Sequence, residues 1–125
     1  MKEMKKLVAF FEIPAANFER AVTFYESILN CKLSVMDYPT EKMAFFPKES
    51  GKCPGAISFA PDFNPSKDGT LISFSVENME ETISCIEKNG GKLITPKTKI
   101  EAGGTDYFSV FIDVEGNRVG LYSDK

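Results

Sequence analysis

Apolar positions along the chain switch between two spacings, one suited to strands and one to helices. From Leu7 to Ile13 and from Leu71 to Val76 aromatic and branched residues crowd together, as strands prefer. Downstream of each run, Phe18, Ala21, Val22 and Tyr25, and likewise Met79, Thr82, Ile83 and Ile86, fall at i, i+3, i+4 and i+7. That is the stripe of a helix lying on a sheet. Asn17 and Asn78 stand just ahead as N-caps, each followed by an acidic residue that suits the positive end of a helix. Asn30 and the pair Gly90-Gly91 end the two helices, since both residue types tolerate the left-handed cap conformation. Short extended runs follow: Lys32–Asp37, Met43–Pro47 and Ala56–Ala60, then Lys92–Thr95, Tyr107–Asp113 and Arg118–Tyr122. Glu115-Gly116-Asn117 is the tight turn between the last two.

The order strand, helix, three strands therefore occurs twice, and the residues repeat with it. Phe11–Glu26 set above Ile72–Glu87 places apolar on apolar at Phe11/Ile72, Ile13/Phe74, Phe18/Met79, Val22/Ile83 and Tyr25/Ile86, with Asn17 over Asn78 and Glu19 over Glu80. Each half would be marginal by itself, so one domain spans 1–125: a first βαβββ module over 7–60, a connector over 61–70 and a second module over 71–123. The connector carries two prolines and a glycine among polar residues. Gly103 and Gly104 make Ile100–Thr105 a candidate flap over a pocket.

Composition removes several function classes. The 125 residues carry no histidine, which eliminates His-based triads and the commonest transition-metal ligand. Fifteen Lys and Arg against eighteen Asp and Glu give a formal charge of -3, without the basic footprint of a nucleic-acid partner. No apolar run is long enough for a membrane span, and the apolar stretch near the N-terminus ends at Glu12 without a cleavage site. Cys31, Cys53 and Cys85 are odd in number and unrelated in spacing, as expected of reduced thiols in a cytoplasm. Cys53, beside Lys52, is the one thiol placed to be activated, although a bland loop thiol is the simpler reading.

The run P-A-A-N-F-E-R-A-V-T-F-Y after a strand, the doubled βαβββ order and the closing F-x-D-x-E-G-N-R-x-G-L-Y together resemble the vicinal oxygen chelate superfamily, which includes glyoxalase I, extradiol dioxygenases and bleomycin-resistance proteins. The resemblance runs from Leu7 to Tyr122. It implies an α+β fold whose two modules form a curved mixed sheet around a cleft, with metal ligands on strands lining it. Carried over position by position, those ligands fall on Phe10 and Leu71, seven residues ahead of Asn17 and Asn78, on Gly120, and at about Ala56. None of these side chains supplies a donor to a divalent cation, so no metal and no other cofactor is expected, and the cleft floor becomes apolar.

Side chains alternate along a strand, so whatever shares a face with Phe10 includes Glu12, while Phe11 and Ile13 turn toward the helices. By the same parity Leu71 brings Ser73 and Ser75, and Gly120 brings Arg118 and Tyr122. Glu12 with Arg118 or Tyr122 would clasp the polar end of a ligand whose body lies on Phe10 and Leu71; the bland reading makes Glu12 a hydrogen-bonding residue at the mouth. The expected function is a metal-free binder of a small apolar or aromatic molecule, similar in logic to the bleomycin-resistance branch, with Phe10, Glu12, Ala56, Leu71, Ser73, Arg118, Gly120 and Tyr122 around the ligand. A homodimer is expected by analogy. The alternative is a glyoxalase-like lyase or dioxygenase-like enzyme using Glu12 as general base with a relocated ion held by Asp or Glu. A third is a purely structural or protein-interaction module.

Overall fold

A computed structural model describes residues 7–101 and 106–125. The expected order is present: β1 (Phe11–Pro14), α1 (Phe18–Leu29), β2 (Ser34–Asp37), β3 (Lys42–Phe45) and β4 (Gly55–Phe59), then β5 (Ile72–Ser75), α2 (Met79–Lys88), β6 (Lys92–Lys99), β7 (Tyr107–Ile112) and β8 (Arg118–Ser123). Both N-caps are as expected. Asn17 Oδ1 accepts from the Arg20 amide at 3.2 Å, and Asn78 Oδ1 from the Glu81 amide at 3.0 Å. Asn30 closes α1 at φ 51°, and Gly90 follows α2 at φ 94°.

The strands form two mixed four-stranded sheets, ordered β1-β4-β3-β2 and β5-β8-β7-β6. In each the first strand runs parallel to the fourth, because the intervening helix carries the chain across the sheet, and the remaining pairs are antiparallel. The sheets are open, and β1 and β5 are edge strands of separate ladders rather than neighbours in one. Most boundaries agree with the sequence reading to within two residues, and two differ by four. The first strand begins at Phe11, leaving Leu7, Val8 and Phe10 exposed ahead of it, because β4 offers partners only from Gly55 onward. Strand β6 runs on to Lys99, its register against β7 shifting between Leu93 and Thr98. Gly103 and Gly104 of the expected flap lie outside the described residues.

A single core joins the modules. Ile13, Phe18, Phe24, Tyr25, Ala44, Phe46 and Ile57 from the first pack with Met79, Ile86, Phe111, Val119 and Leu121 from the second. Phe11, Phe46 and Phe74 meet across the boundary, with ring centroids 5.4 Å (Phe46–Phe74) to 5.9 Å (Phe11–Phe74) apart. The helices and the inward sheet faces thus share one interior, leaving the opposite face of each sheet outward.

Candidate functional site

The outward face of the first sheet is where parity places Glu12, and the register gives it neighbours. Glu12 pairs with Ala56, Phe45 with Ala56 from the other side, and Met43 with Ser58. Ala56 and Ser58 are buried, whereas Glu12 is exposed and Phe10 keeps 38% of its surface. The Phe10 and Phe45 rings lie 6.2 Å apart, tilted, paving the face beside the carboxylate. Ser58 Oγ donates to Glu12 Oε1 at 2.7 Å, which fixes one oxygen of the carboxylate of an exposed residue. Among the described residues Glu12 has no ion-pair partner.

Leu71, Ser73, Gly120 and Tyr122 lie on the corresponding face of the second sheet. Ser73 pairs with Gly120 and Ser75 with Tyr122; Leu71 and Tyr122 are about half exposed, and Arg118 is exposed. A methyl group built on Gly120 would collide with Ser73 Oγ, so the serine hydroxyl occupies the space a longer side chain there would need. The expected residues therefore form two groups, Phe10, Glu12 and Ala56 on one sheet and Leu71, Ser73, Arg118, Gly120 and Tyr122 on the other. No hydrogen bond or ion pair among the described residues joins Glu12 to Arg118 or Tyr122.

The metal centre that the fold family implies does not fit the residues present. The four positions to which the resemblance carries its ligands hold phenyl, methyl, isobutyl and hydrogen, and Ser73 Oγ lies where a Cβ at Gly120 would point. Among the described residues no three His, Cys, Asp or Glu side chains gather as a cation would require. Cys53 is a structural thiol, donating to the Phe46 and Gly55 carbonyls at 3.4 and 3.2 Å. The Cys31 thiol is pushed above its ordinary value, chiefly by burial and then by Glu26, which disfavours the reactive thiolate.

Sequence reasoning read the closing turn only as a hairpin, and the structure gives it a larger part. Asp113, 3% exposed, accepts from the Glu115 and Asn117 amides at 2.8 and 2.9 Å, from Asn117 Nδ2 at 3.1 Å and from the Tyr25 hydroxyl at 2.6 Å. Glu115 reaches the start of α1, where Oε1 accepts from the Ala16 and Asn17 amides at 2.8 and 2.7 Å and Oε2 meets Arg20 Nε at 2.6 Å. Asn117 Nδ2 donates to the Pro14 carbonyl, and Asn117 Oδ1 holds the connector at the Ser66 amide. The signal was a tyrosine in the buried stripe of α1, whose hydroxyl had to find a partner.

Two βαβββ modules fused through one core, each presenting an outward sheet face, define a paired-module α+β domain. The model of the Glyoxalase/Bleomycin resistance protein/Dioxygenase superfamily matches residues 7–121, and the chain belongs to that superfamily. A glyoxylase-like domain-containing protein from Didymella fabae is 29% identical over 115 residues, covering 88% of each chain. Among solved structures, a glyoxalase/bleomycin resistance protein/dioxygenase family enzyme from Burkholderia phytofirmans PsJN superposes with a TM-score of 0.68 at 16% identity over 94% of this chain and 98% of that one. A glyoxalase I mutant from Zea mays gives 0.72 at 18% identity over 92% of this chain but only 46% of its own. At such identities these structures establish the fold. No described helix is long and apolar enough to cross a membrane.

Proposed function

We propose that the chain binds a small apolar or aromatic molecule on the outward face of its first sheet, without a metal ion. The observation that carries this reading is the exposed Glu12 carboxylate, held at one oxygen by buried Ser58 in a face otherwise paved by Phe10, Phe45, Met43 and Ala56. Rings give a ligand body a flat apolar seat, and the carboxylate takes its polar end. A second copy of the chain, expected from the resemblance, brings Leu71, Ser73, Arg118 and Tyr122 over the ligand as the opposite wall, which the chain does not supply to Glu12 by itself. The three free thiols fit a reducing, cytoplasmic setting. For an enzyme of the lyase or dioxygenase type, an ion would have to sit away from the four family positions.

Thermal shifts across a library of aromatic and hydrophobic metabolites test the reading, because a ligand that binds only the folded chain raises Tm. Hits that weaken in Glu12→Gln and in Phe45→Ala support it. Universal silence, or hits indifferent to both substitutions, refutes it. Elemental analysis of protein purified without chelator tests the metal-free part, where stoichiometric Zn, Ni, Mn or Fe is the opposing result.

A further inference from the structure

Hydrogen-bonding type and charge on the Glu12 face restrict what its ligand can be. Register lays Glu12, Ala56 and Phe45 in one row across the outward face of the first sheet and Ser58, Met43 and Met36 in the next. Among the described residues the Glu12 carboxylate is the one charge in either row. Ser58 is buried and spends its single hydroxyl hydrogen on Glu12 Oε1 at 2.7 Å, so the pair has only lone pairs to offer. A polar end seated here must donate. A ligand carboxylate would meet acceptors and a like charge, and a hydroxyl has one hydrogen to give; an ammonium group donates and also cancels the charge.

The rings restrict the ligand further. The Phe10 and Phe45 rings lie 6.2 Å apart at 53° to one another, and Ala56, between Glu12 and Phe45 in the register, leaves them room with its short side chain. Phenyl faces attract a cation within about 6 Å of the ring centre. Phe10 stands two residues of extended chain from Glu12, a separation of about 7 Å, so a ligand ring seated on the phenyls reaches the carboxylate through a tether of about two or three carbons. We infer that the ligand is an arylalkyl ammonium cation, its nitrogen on Glu12 and its ring against Phe10 and Phe45. This rests on the reading of the face as a ligand site and adds to it the charge and donor character of the ligand.

The test is isothermal titration calorimetry on the full chain with probes alike except at one end: 3-phenylpropylamine, 3-phenylpropan-1-ol and 3-phenylpropionate. The amine should bind about tenfold tighter than the alcohol, and the propionate more weakly than either. Glu12→Gln keeps an acceptor for Ser58 and removes the charge, so it should bring the amine to within about twofold of the alcohol and leave the alcohol nearly unchanged. Phe45→Leu should weaken both, the amine by the larger factor. If Glu12→Gln does not fold, salt decides: raising sodium chloride from about 0.02 to about 0.3 M should weaken the amine several-fold and the alcohol hardly at all. Replacing Lys2, Lys5 and Lys6 by Gln should leave the amine's affinity as it was; a rise of about tenfold would assign the carboxylate to one of the chain's own lysines and overturn the inference. Equal affinity for amine and alcohol overturns it too, as does a preference for the propionate, which would pass the polar end to Arg118 if lost in Arg118→Gln. Silence of all three probes at millimolar concentration also overturns it, and the metabolite library then separates the two readings: hits that weaken in Phe45→Ala keep the site without this ligand class, and silence there removes the site as well.

Discussion

Replacing Tyr25 by Phe isolates the contact that ties α1 of the first module to the last hairpin of the second. The ring is fully buried against Phe24, Phe46 and Phe74 at centroid distances of 5.0, 6.1 and 5.9 Å, and phenylalanine keeps all of that packing. Only the hydroxyl that donates to Asp113 Oδ2 at 2.6 Å is lost. Asp113 retains its three other donors, so the cost is that of one hydrogen bond to a charged group, about 1.5–3 kcal/mol. For a domain of this size that lowers Tm by about 5–12 °C. Urea unfolding followed by circular dichroism should show a lower midpoint with an unchanged slope.

The same contact has a pH signature. Burial, and then the charge of Asp113, hold the Tyr25 hydroxyl well above the ordinary tyrosine value. The folded chain therefore keeps a proton that the unfolded chain releases from about pH 10 upward. The stabilisation is fully present below that pH and is lost as pH rises through the folded value, so the alkaline limb of the stability curve should be shallower in Tyr25→Phe. A stability change below about 0.5 kcal/mol, with an unaltered alkaline limb, would refute the view that this bond fastens the modules.

Three further outcomes follow from the same geometry. Glu115→Ala leaves the Ala16 and Asn17 amides without their acceptor and should cost about 1 kcal/mol in urea unfolding, whereas Glu80→Ala, whose exposed carboxylate pairs with Lys97, should change the midpoint little. Gly120→Ala brings a methyl group against Ser73 Oγ, which on an exposed side chain can rotate away, so the cost in urea unfolding should stay below about 1 kcal/mol and vanish in the Gly120→Ala/Ser73→Gly double variant; additivity of the two would show that the contact is not the cause. Gly55→Ala, whose new carbon would lie 2.5 Å from the Phe11 carbonyl oxygen, should lose more than Gly69→Ala, where nothing lies within 4 Å, and equal midpoints would contradict the close β1–β4 approach.

Local chemistry made much of this legible in advance. Asn17 and Asn78 cap the helices because their short side chains reach amides three residues on, a rule that needs only neighbours in sequence. Parity likewise placed Ile13 inward and Glu12 outward. The start of β1 was less legible, because Leu7 to Phe10 are as strand-like as Phe11 to Ile13 and only the reach of β4 separates them. The same limit applies to the candidate site: parity put Phe10 and Glu12 on one face, but Ser58 as the partner of Glu12 depended on strand register.

The sequence by itself determined the doubled βαβββ order, the helix ends and the face each strand residue takes. Each of these follows from residue type and from spacing over a turn or a strand. Tertiary structure alone decided that Asp113, Glu115 and Asn117 clasp Tyr25 and the start of α1, and that the predicted residues divide between two sheets. Those facts join residues nearly a hundred positions apart, and the pairing of such distant groups is set by how two modules share one core.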